Sequence, residues 1–598
     1  MSKLRDHPKL DPYLKWGLDS EFRGFKAPYR CVNGDWKLPV SMEMTFPLAA
    51  QLLKKTSFYP GGWLPGSRFI NGEICQNRLS AILDSPFVKR FKLGLPSTPT
   101  GPPLIRLGTL GYQPGDPPVV AFIDHGVAFL NRCFNDSAGY PRIFSLWDQE
   151  DYGVKQIQPL SPWVASNFEY GRELDSGRLA NWLADKAPGR TEDELYAMLD
   201  YQPCRKRIAH GTHVMDLAAG VTDPLGLMGQ HDIASTAPII AVQLPYKPFK
   251  DTSSSSLCVH VLDGLRFILS KVSGKRPIVV NISDGAYAGS HDGNSLLESA
   301  IDEFLLKQTH VTLVISAGNG FQQRLHAKST AAHPASTLRW RVLPDTATDN
   351  FMEVWCPPIA GIAVEVTSPD GVEHRASLGD NKVLIASDGR TQIGGIYSSV
   401  DPDLNGSERG MFLLALAPTH PQLVANPAAP HGVWTISVTG TQKFDAYIQR
   451  NNPALGDRGP RRQSSFVDER SRTYVTGKST LNNISTGEHP IIVGGYYMRG
   501  SLFDRYSGQR HRVADYSSAG PGRKACIPGV NVHAPSEDSP VLHGLLAAGV
   551  RSGTRVRLGG TSVATPVVSR FAVNHIGNLA NPTPSGHLLD PSADDRPG

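Results

Sequence analysis

The sequence predicts an α/β fold: a parallel sheet flanked by helices, interrupted by an inserted antiparallel β-sandwich of jelly-roll type and preceded by a small α+β unit. Three observations carry this expectation. The near-continuous apolar runs PPVVAFID, APIIAVQL, PIVVNIS and VTLVISAGN have the character of parallel strands buried on both faces. Helical stretches alternate with them: SLCVHVLDGLRFILSKV, and SLLESAIDEFLLKQ, in which Leu296, Leu297, Ala300, Ile301, Phe304 and Leu305 share one face. From about residue 340 to 455 the pattern changes to short strands punctuated by Gly, Asp and Pro, the signature of a sandwich.

The chain has 598 residues, more than one hydrophobic core usually supports. Its first 103 residues form an N-terminal region. Within it KLPVSMEMT, LAAQLLKK, RFINGEIC, QNRLSAILDS and VKRFKLG alternate in a βαββαβ-like way. The segment PSTPTGPP follows and reads as a linker, because repeated proline removes backbone donors and disfavours regular structure. Residues 104–335 make the first part of the α/β domain and 336–480 the sandwich, built from NFMEVWC, GIAVEVTSPDG, NKVLIASDG, GMFLLALAP, GVWTISVTG and FDAYIQR. RGPRRQSS reads as a loop. HPIIVGGYY returns to the buried-strand type, so 481–580 is the second part of the α/β domain, and its last helix begins at TSVATPVVSRFAV. The tail 581–598, rich in Pro, Ser and Asp, is expected to be disordered.

Composition narrows the function classes. Hydrophobic residues are 40%, charged residues 19%, and the net charge of +5 is spread along the chain without a basic arm, which argues against nucleic acid as a partner. No apolar run approaches the roughly 20 residues that span a bilayer, and the charged N-terminus has no secretory h-region. The seven cysteines are odd in number and scattered without a CxxC pair, which suits reduced thiols and a cytoplasmic address.

The chemistry rests on three segments. A serine hydroxyl is a poor nucleophile until a base takes its proton, and the base needs a carboxylate to fix its tautomer. Asp124 ends the strand VVAFID, His210 opens HGTHVMDLAAG, and Ser562 sits in GGTSVATP near a helix N-terminus that offers backbone donors to an anion. Each alone has an ordinary structural explanation: a turn, a packed histidine, an N-cap. Together, in the order Asp, His, Ser, they are far more specific. His213 and His125 read as structural or incidental, since HGTH lacks the glutamate of a zinc motif.

AFIDHGV, HGTHVMDLAAG and GGTSVATPVVS resemble the three signature blocks of the subtilisin-like (S8) serine proteases, and VTLVISAGNG resembles the strand ending in that family's oxyanion-hole asparagine, here Asn319. DYSSAGPG and VNVHAPSE are similar to late segments of the family. The resemblance implies a serine endopeptidase acting on a protein or peptide substrate with Asp124, His210, Ser562 and Asn319 in the catalytic roles. It also implies substrate contacts at Ser283, Asp284, Gly285, Ala317 and Gly318. A carboxylate at Asp284 either favours a basic residue in the substrate or stays solvated and silent. The long segment between Asp124 and His210 and the sandwich resemble bacterial subtilases related to the clostridial germination proteases. LSAILDSPFVKRFKLG is similar to the last helix and strand of a subtilase propeptide, a domain that assists folding and whose tail blocks the cleft until cleaved, here in the LGLPSTPTGPP region; the other reading is a small packing domain that stays attached.

No cofactor is required by this chemistry. Many subtilases bind calcium, but backbone carbonyls supply many of its ligands and no acidic pattern here specifies a loop. Two other classes of function stay open: a catalytically silent sensor or scaffold, whose mark would be a lost triad residue, and a peptide ligase or macrocyclase, in which an amine resolves the acyl-enzyme. The insertions at the cleft point to a narrow substrate range, with a partner protein of the same pathway as substrate or activator.

Overall fold

The computed structural model describes residues 7–22, 30–32, 35–47, 64–94, 108–150, 161–205, 209–222, 232–245, 255–329, 337–402, 408–420, 428–451, 462–467, 474–498, 512–539 and 542–576, apart from 169, 442, 524–526 and 528, together with 225, 588 and 596. The expected helix LAAQLLKK, the linker PSTPTGPP and the first half of the loop RGPRRQSS lie outside these residues.

A ten-stranded sheet forms the centre of the molecule. Its order runs Arg512–Val513, Ile491–Tyr497, Val311–Ser316, Ile278–Ile282, Val119–Asp124, Ile239–Gln243, Ile143–Asp148, Arg172–Asp175, Val164–Ala165, with Val532–Glu537 also beside Ile491–Tyr497. The central strands pair in parallel, and antiparallel pairs occur toward both edges. Alternate residues of one strand feed two apolar layers. Val120 and Phe122 join the layer containing Val214, Val563 and Phe571 from helices His210–Ala219 and Thr561–Asn574. Val119, Ala121 and Ile123 join the layer containing Val261, Leu265, Ile301 and Phe304 from helices Ser255–Ser270 and Leu296–Lys307. Burial on both faces is why these strands carry no polar alternation.

The chain enters the sheet at Val119–Asp124, and later strands are laid down on both sides of it. The crossover from Ile239–Gln243 to Ile278–Ile282 steps over that strand, so a crevice opens at the carboxyl ends beside Asp124. Register aligns these ends, because Ile123 pairs with Ile282 and Ile282 pairs with Ile315. The residues that follow, Asp124, Ser283 and the Ser316–Asn319 turn, therefore leave the sheet at one level.

The insertion is an antiparallel sandwich of a seven-stranded and a five-stranded sheet over one core that includes Trp340, Val354, Phe412, Leu414 and Trp434. Its first strand, His326–Ser329, precedes the expected boundary at 336. Four residues of mixed polarity carry too little pattern to read as a strand. Thr337–Val342, Glu373–Ser377 and Gln392–Pro402 are further strands that the turn pattern alone did not single out.

In the N-terminal unit Asp35–Met44 pairs antiparallel with Arg30–Val32, Phe69–Cys75 and Val88–Leu93, and helix Gln76–Leu83 follows the third of these strands. A helix not expected from the sequence, Pro12–Asp19, precedes the sheet; Asp11 caps it, accepting from Tyr13 N, and Pro12 occupies its first position. That helix binds the sandwich. Tyr13 Oη donates to Glu353 (2.7 Å), Trp16 Nε1 to Asp349 (2.8 Å) and Lys15 Nζ to the Ser398 carbonyl (2.9 Å). The sheet meets the α/β domain through polar contacts: Asn71 Nδ2 donates to Asp263 (2.7 Å), Arg266 to the Phe69 carbonyl (2.9 Å) and Arg90 to Ser299 (3.0 Å).

Of the tail, Leu588 is buried in the central core and Arg596 donates to the Ala514 carbonyl (2.7 Å). Cys75, Cys133, Cys204, Cys258 and Cys356 are free. Among the described residues no helix is long and apolar enough to cross a membrane.

Candidate active site

A cavity of about 330 Å³ opens at the crevice, and its lining includes His210, Ser283, Asp284, Gly285, Gly318, Asn319 and Ser562. Asp124 lies just behind it, fully buried at the end of its strand. Its Oδ1 is 2.7 Å from His210 Nδ1 and also accepts the His125 N–H at 2.6 Å. Since a carboxylate only accepts, His210 carries its proton on Nδ1 and presents Nε2 as a base. Burial alone drives the His210 pKa down. The charge of Asp124 and its hydrogen bond more than offset this, aided by Asp284 and opposed by Arg450, so the net direction is upward from 6.5.

His210 is the first residue of its helix, and close packing holds that helix end against the strand end. Gly211 N donates to the His125 carbonyl (2.7 Å) and Thr212 Oγ1 to the Gly126 carbonyl (2.6 Å). A Cβ at Gly211 would stand 2.8 Å from the His125 carbonyl oxygen, so only glycine permits this approach. His125 lies at the cavity wall with its ring stacked on that of His210, 5.1 Å between centroids. His213 points away, with Nε2 3.0 Å from the Leu545 carbonyl, and burial lowers its pKa to about 4.

Ser562 is the second residue of helix Thr561–Asn574, where backbone N–H groups lack intrahelical acceptors. The cap residue Gly560 has φ +118°, and a Cβ there would lie 3.0 Å from Asn319 Nδ2. Asn319 Oδ1 accepts from Thr561 N (2.9 Å) and from Thr561 Oγ1 (3.2 Å). Thr561 N can only donate, which assigns Oδ1 to that side and turns the Asn319 amide N–H groups toward Gly560. The Asn319 amide and the Ser562 N–H thus border one cavity, as two donors to a developing oxyanion require. Thr561, which holds Asn319, was legible in GGTS only as an ordinary cap.

The Ser562 hydroxyl donates to the Ser283 carbonyl at 2.9 Å. The structure therefore brings Ser562 and His210 into one cavity but does not turn Oγ toward the imidazole. Ser283, Asp284, Gly285 and Gly318 line the cavity, whereas Ala317 is fully buried behind it. Ala317 N and O are bonded to Val493 O and Asn482 N, so both its backbone groups are taken within the fold. Asn482 also fills the space beside Gly285 and Gly318, where a Cβ would lie 2.5 Å from its side-chain atoms.

Two further residues of the site come from the sandwich. Gln449 Oε1 accepts from Tyr287 N, Ala288 N and Arg450 N, and Arg450 reaches the cavity with Nη1 3.8 Å from Asp284 Oδ1. Nothing in the local pattern of QRNN marks them. Among the described residues the group of three or more ligating side chains is Asp124, His125 and His210. Two imidazoles and one carboxylate are not the oxygen cage calcium takes, and no calcium-dependent step follows from them.

The subtilase family profile matches residues 115–585. The solved CspB protease of Clostridium perfringens is similar in fold, with a TM-score of 0.55 at 20% identity, covering 78% of this chain and 84% of CspB. The prenylagaramide maturation protease PagA (TM-score 0.27, 13% identity, 77% of this chain and 76% of that one) and an S41 psychrophilic protease (0.29, 12%, 78% and 79%) align less well. No curated protein matches. With a match spanning most of its length, on the sheet and segments described above, this chain belongs to the subtilase family.

Proposed function

We propose that the chain is a serine endopeptidase that hydrolyses peptide bonds through an acyl-enzyme on Ser562. The observation that carries this reading is the 2.7 Å bond between buried Asp124 and His210 beside a cavity shared with Ser562 and Asn319. In this mechanism Ser562 Oγ bonds to the scissile carbonyl carbon while its proton passes to His210 Nε2. Asp124 holds the imidazole and stabilises its charged form. The carbonyl oxygen, now anionic, takes hydrogen bonds from the Asn319 amide and the Ser562 N–H. His210 then gives its proton to the departing amine, and water, deprotonated by the same base, releases the acid and restores Ser562.

The same reading makes the N-terminal region a restraint. Its sheet is fastened to the α/β domain and its first helix to the sandwich, so it has reason to stay in place after a cut within LGLPSTPTGPP. Five free cysteines suit a reducing, cytoplasmic setting. Incubating the protein with a quenched peptide library and weighing the products tests the activity. Fragments that together exceed the substrate by one water, absent with Ser562→Ala, support hydrolysis; a peptide without free ends would replace it with ligation, and no product would remove it.

A further inference from the structure

We propose that Arg450, supplied by the inserted sandwich, is a specificity-determining residue that selects a carboxylate side chain, Asp or Glu, on the acyl side of the scissile bond. This inference rests on the peptidase reading above.

The position of Arg450 is built rather than accidental. Gln449, itself buried, accepts three backbone N–H groups on one oxygen: Tyr287 at 3.0 Å, Ala288 at 3.3 Å and Arg450 at 2.8 Å. Two of these belong to the segment that continues Ser283–Gly285 and one to the exit of the sandwich strand Phe444–Ile448. The clamp fixes the backbone of Arg450 at the rim of the cavity that holds Ser562 and His210.

The side chain is under-used there. Its Nη1 lies 3.8 Å from Asp284 Oδ1, an ion pair beyond hydrogen-bond reach, and among the described residues the guanidinium makes no hydrogen bond. Asp284 already accepts the Gly285 N–H at 2.8 Å and is the more buried partner, at 14% exposure against 33% for Arg450. At 3.8 Å the two groups attract by charge alone, and the guanidinium N–H groups stay available to a better placed acceptor. A guanidinium fork with free donors matches a carboxylate in bidentate fashion, and a partly water-excluded cavity strengthens the contact.

The charges that face this point are Asp284, Arg450 and His210, with His125 beside them. An incoming carboxylate meets Arg450 and leaves Asp284 paired on its other side. An incoming ammonium meets Arg450 as a like charge and must displace it from Asp284. The sandwich therefore reverses the preference that Asp284 alone would impose, and the expectation of a basic residue at this site gives way to an acidic one.

The test compares kcat/KM for peptides carrying Glu, Gln or Lys in turn at each of the four residues before the scissile bond, with Ser562→Ala as the blank. At one position Glu is expected to exceed Gln by about tenfold, with Lys the poorest and the preference shrinking as salt is raised. Arg450→Gln should bring the Glu/Gln ratio close to one; because the ratio is taken within one enzyme, a general loss of activity cancels. Asp284→Asn should keep the Glu preference. Ser562-dependent cleavage of the Gln peptides with a flat ratio, or a Lys preference lost in Asp284→Asn, overturns the assignment to Arg450 and leaves the peptidase reading intact. Absence of Ser562-dependent cleavage from every peptide would remove both.

Discussion

Ser562 Oγ donates its hydrogen bond to the carbonyl oxygen of Ser283, 2.9 Å away, at the end of the strand that lies beside Asp124. The nucleophile thus rests on the wall where an extended substrate backbone would lie. A substrate N–H aimed at that carbonyl competes with the hydroxyl and returns it to the imidazole. On the peptidase reading, substrate backbone and nucleophile share one acceptor, so binding, release of Oγ and attack follow in that order. Replacing the substrate amide nitrogen that pairs with Ser283 by an ester oxygen removes the competitor. The depsipeptide is expected to lose about fivefold in kcat/KM, since a single hydrogen bond to a neutral group is worth about 1 kcal/mol, and part of that loss should fall on kcat because Oγ is no longer displaced. Single-turnover kinetics separates the two effects.

Asn319 is held by Thr561 so that its amide, and not its carbonyl, faces the cavity. Asn319→Ala should lower kcat by about 10²–10³-fold with little change in KM, because the donor acts on the charged intermediate. Thr561→Val, which deletes only the 3.2 Å hydroxyl bond, should cost far less, since the backbone bond at 2.9 Å remains. Equal losses in both variants would mean that orientation depends on the hydroxyl.

The acid limb of the kcat/KM profile reports His210, which must be neutral to act. Burial, the largest single influence, lowers its pKa, but Asp124 and Asp284 together raise it more, so the limb should lie above 6.5. Asp284 raises and Arg450 lowers the same pKa. Asp284→Asn should therefore shift the limb to lower pH and Arg450→Gln to higher pH, both measured on a neutral substrate. Asp124→Asn, which takes away the largest stabilising charge and the tautomer, should reduce kcat by about 10⁴-fold.

The three triad segments and the core strands were legible because their constraints are local. A buried parallel strand must be apolar throughout, and a polar residue at its end must have a use or a cap. Gly211 and Gly560 stand where backbone approach or positive φ leaves no room for a side chain, and such positions print themselves in the sequence. Arg450 was not legible, because its role depends on where an insertion of more than a hundred residues places its last long strand. Ala317 was misplaced by one residue's turn: Gly318, with φ +108°, swings the chain from the sheet into the cleft just after it. The helix Pro12–Asp19 did carry a readable start in Asp-Pro, but its charged surroundings masked it.

Buried neutral histidines tie stability to pH. Burial pushes His260 and His291 down to about 3. In the unfolded chain they titrate near 6.5, so the unfolded state binds more protons below that pH. Their contribution is complete above 6.5 and is lost as pH falls toward 3, at about 1.4 kcal/mol per pH unit for each group. The urea midpoint should fall steadily between pH 6 and pH 4. Both ring nitrogens of His260 are without hydrogen-bond partners among the described residues, so His260→Leu should lessen that slope without breaking a bond.

Trp16 anchors the first helix to the sandwich through burial and its bond to Asp349. Trp16→Ala should weaken that docking by about 3–5 kcal/mol. After a protease cut within LGLPSTPTGPP, the N-terminal fragment should co-elute with the rest of the chain on gel filtration. In the variant it should separate, and peptidase activity should rise. Separation of the unsubstituted fragment would show that the contacts at Tyr13, Trp16, Asn71 and Arg90 do not hold it.

The most direct measurement is reaction of the purified chain with a fluorophosphonate, followed by intact mass and by peptide mapping. An assembled Asp124–His210–Ser562 site predicts one phosphonyl group per chain on Ser562, lost in Ser562→Ala and strongly slowed in His210→Ala. If the N-terminal region closes the cleft, labelling appears only after its removal. No labelling in either form, or labelling that survives Ser562→Ala, would contradict a peptidase built on these three residues.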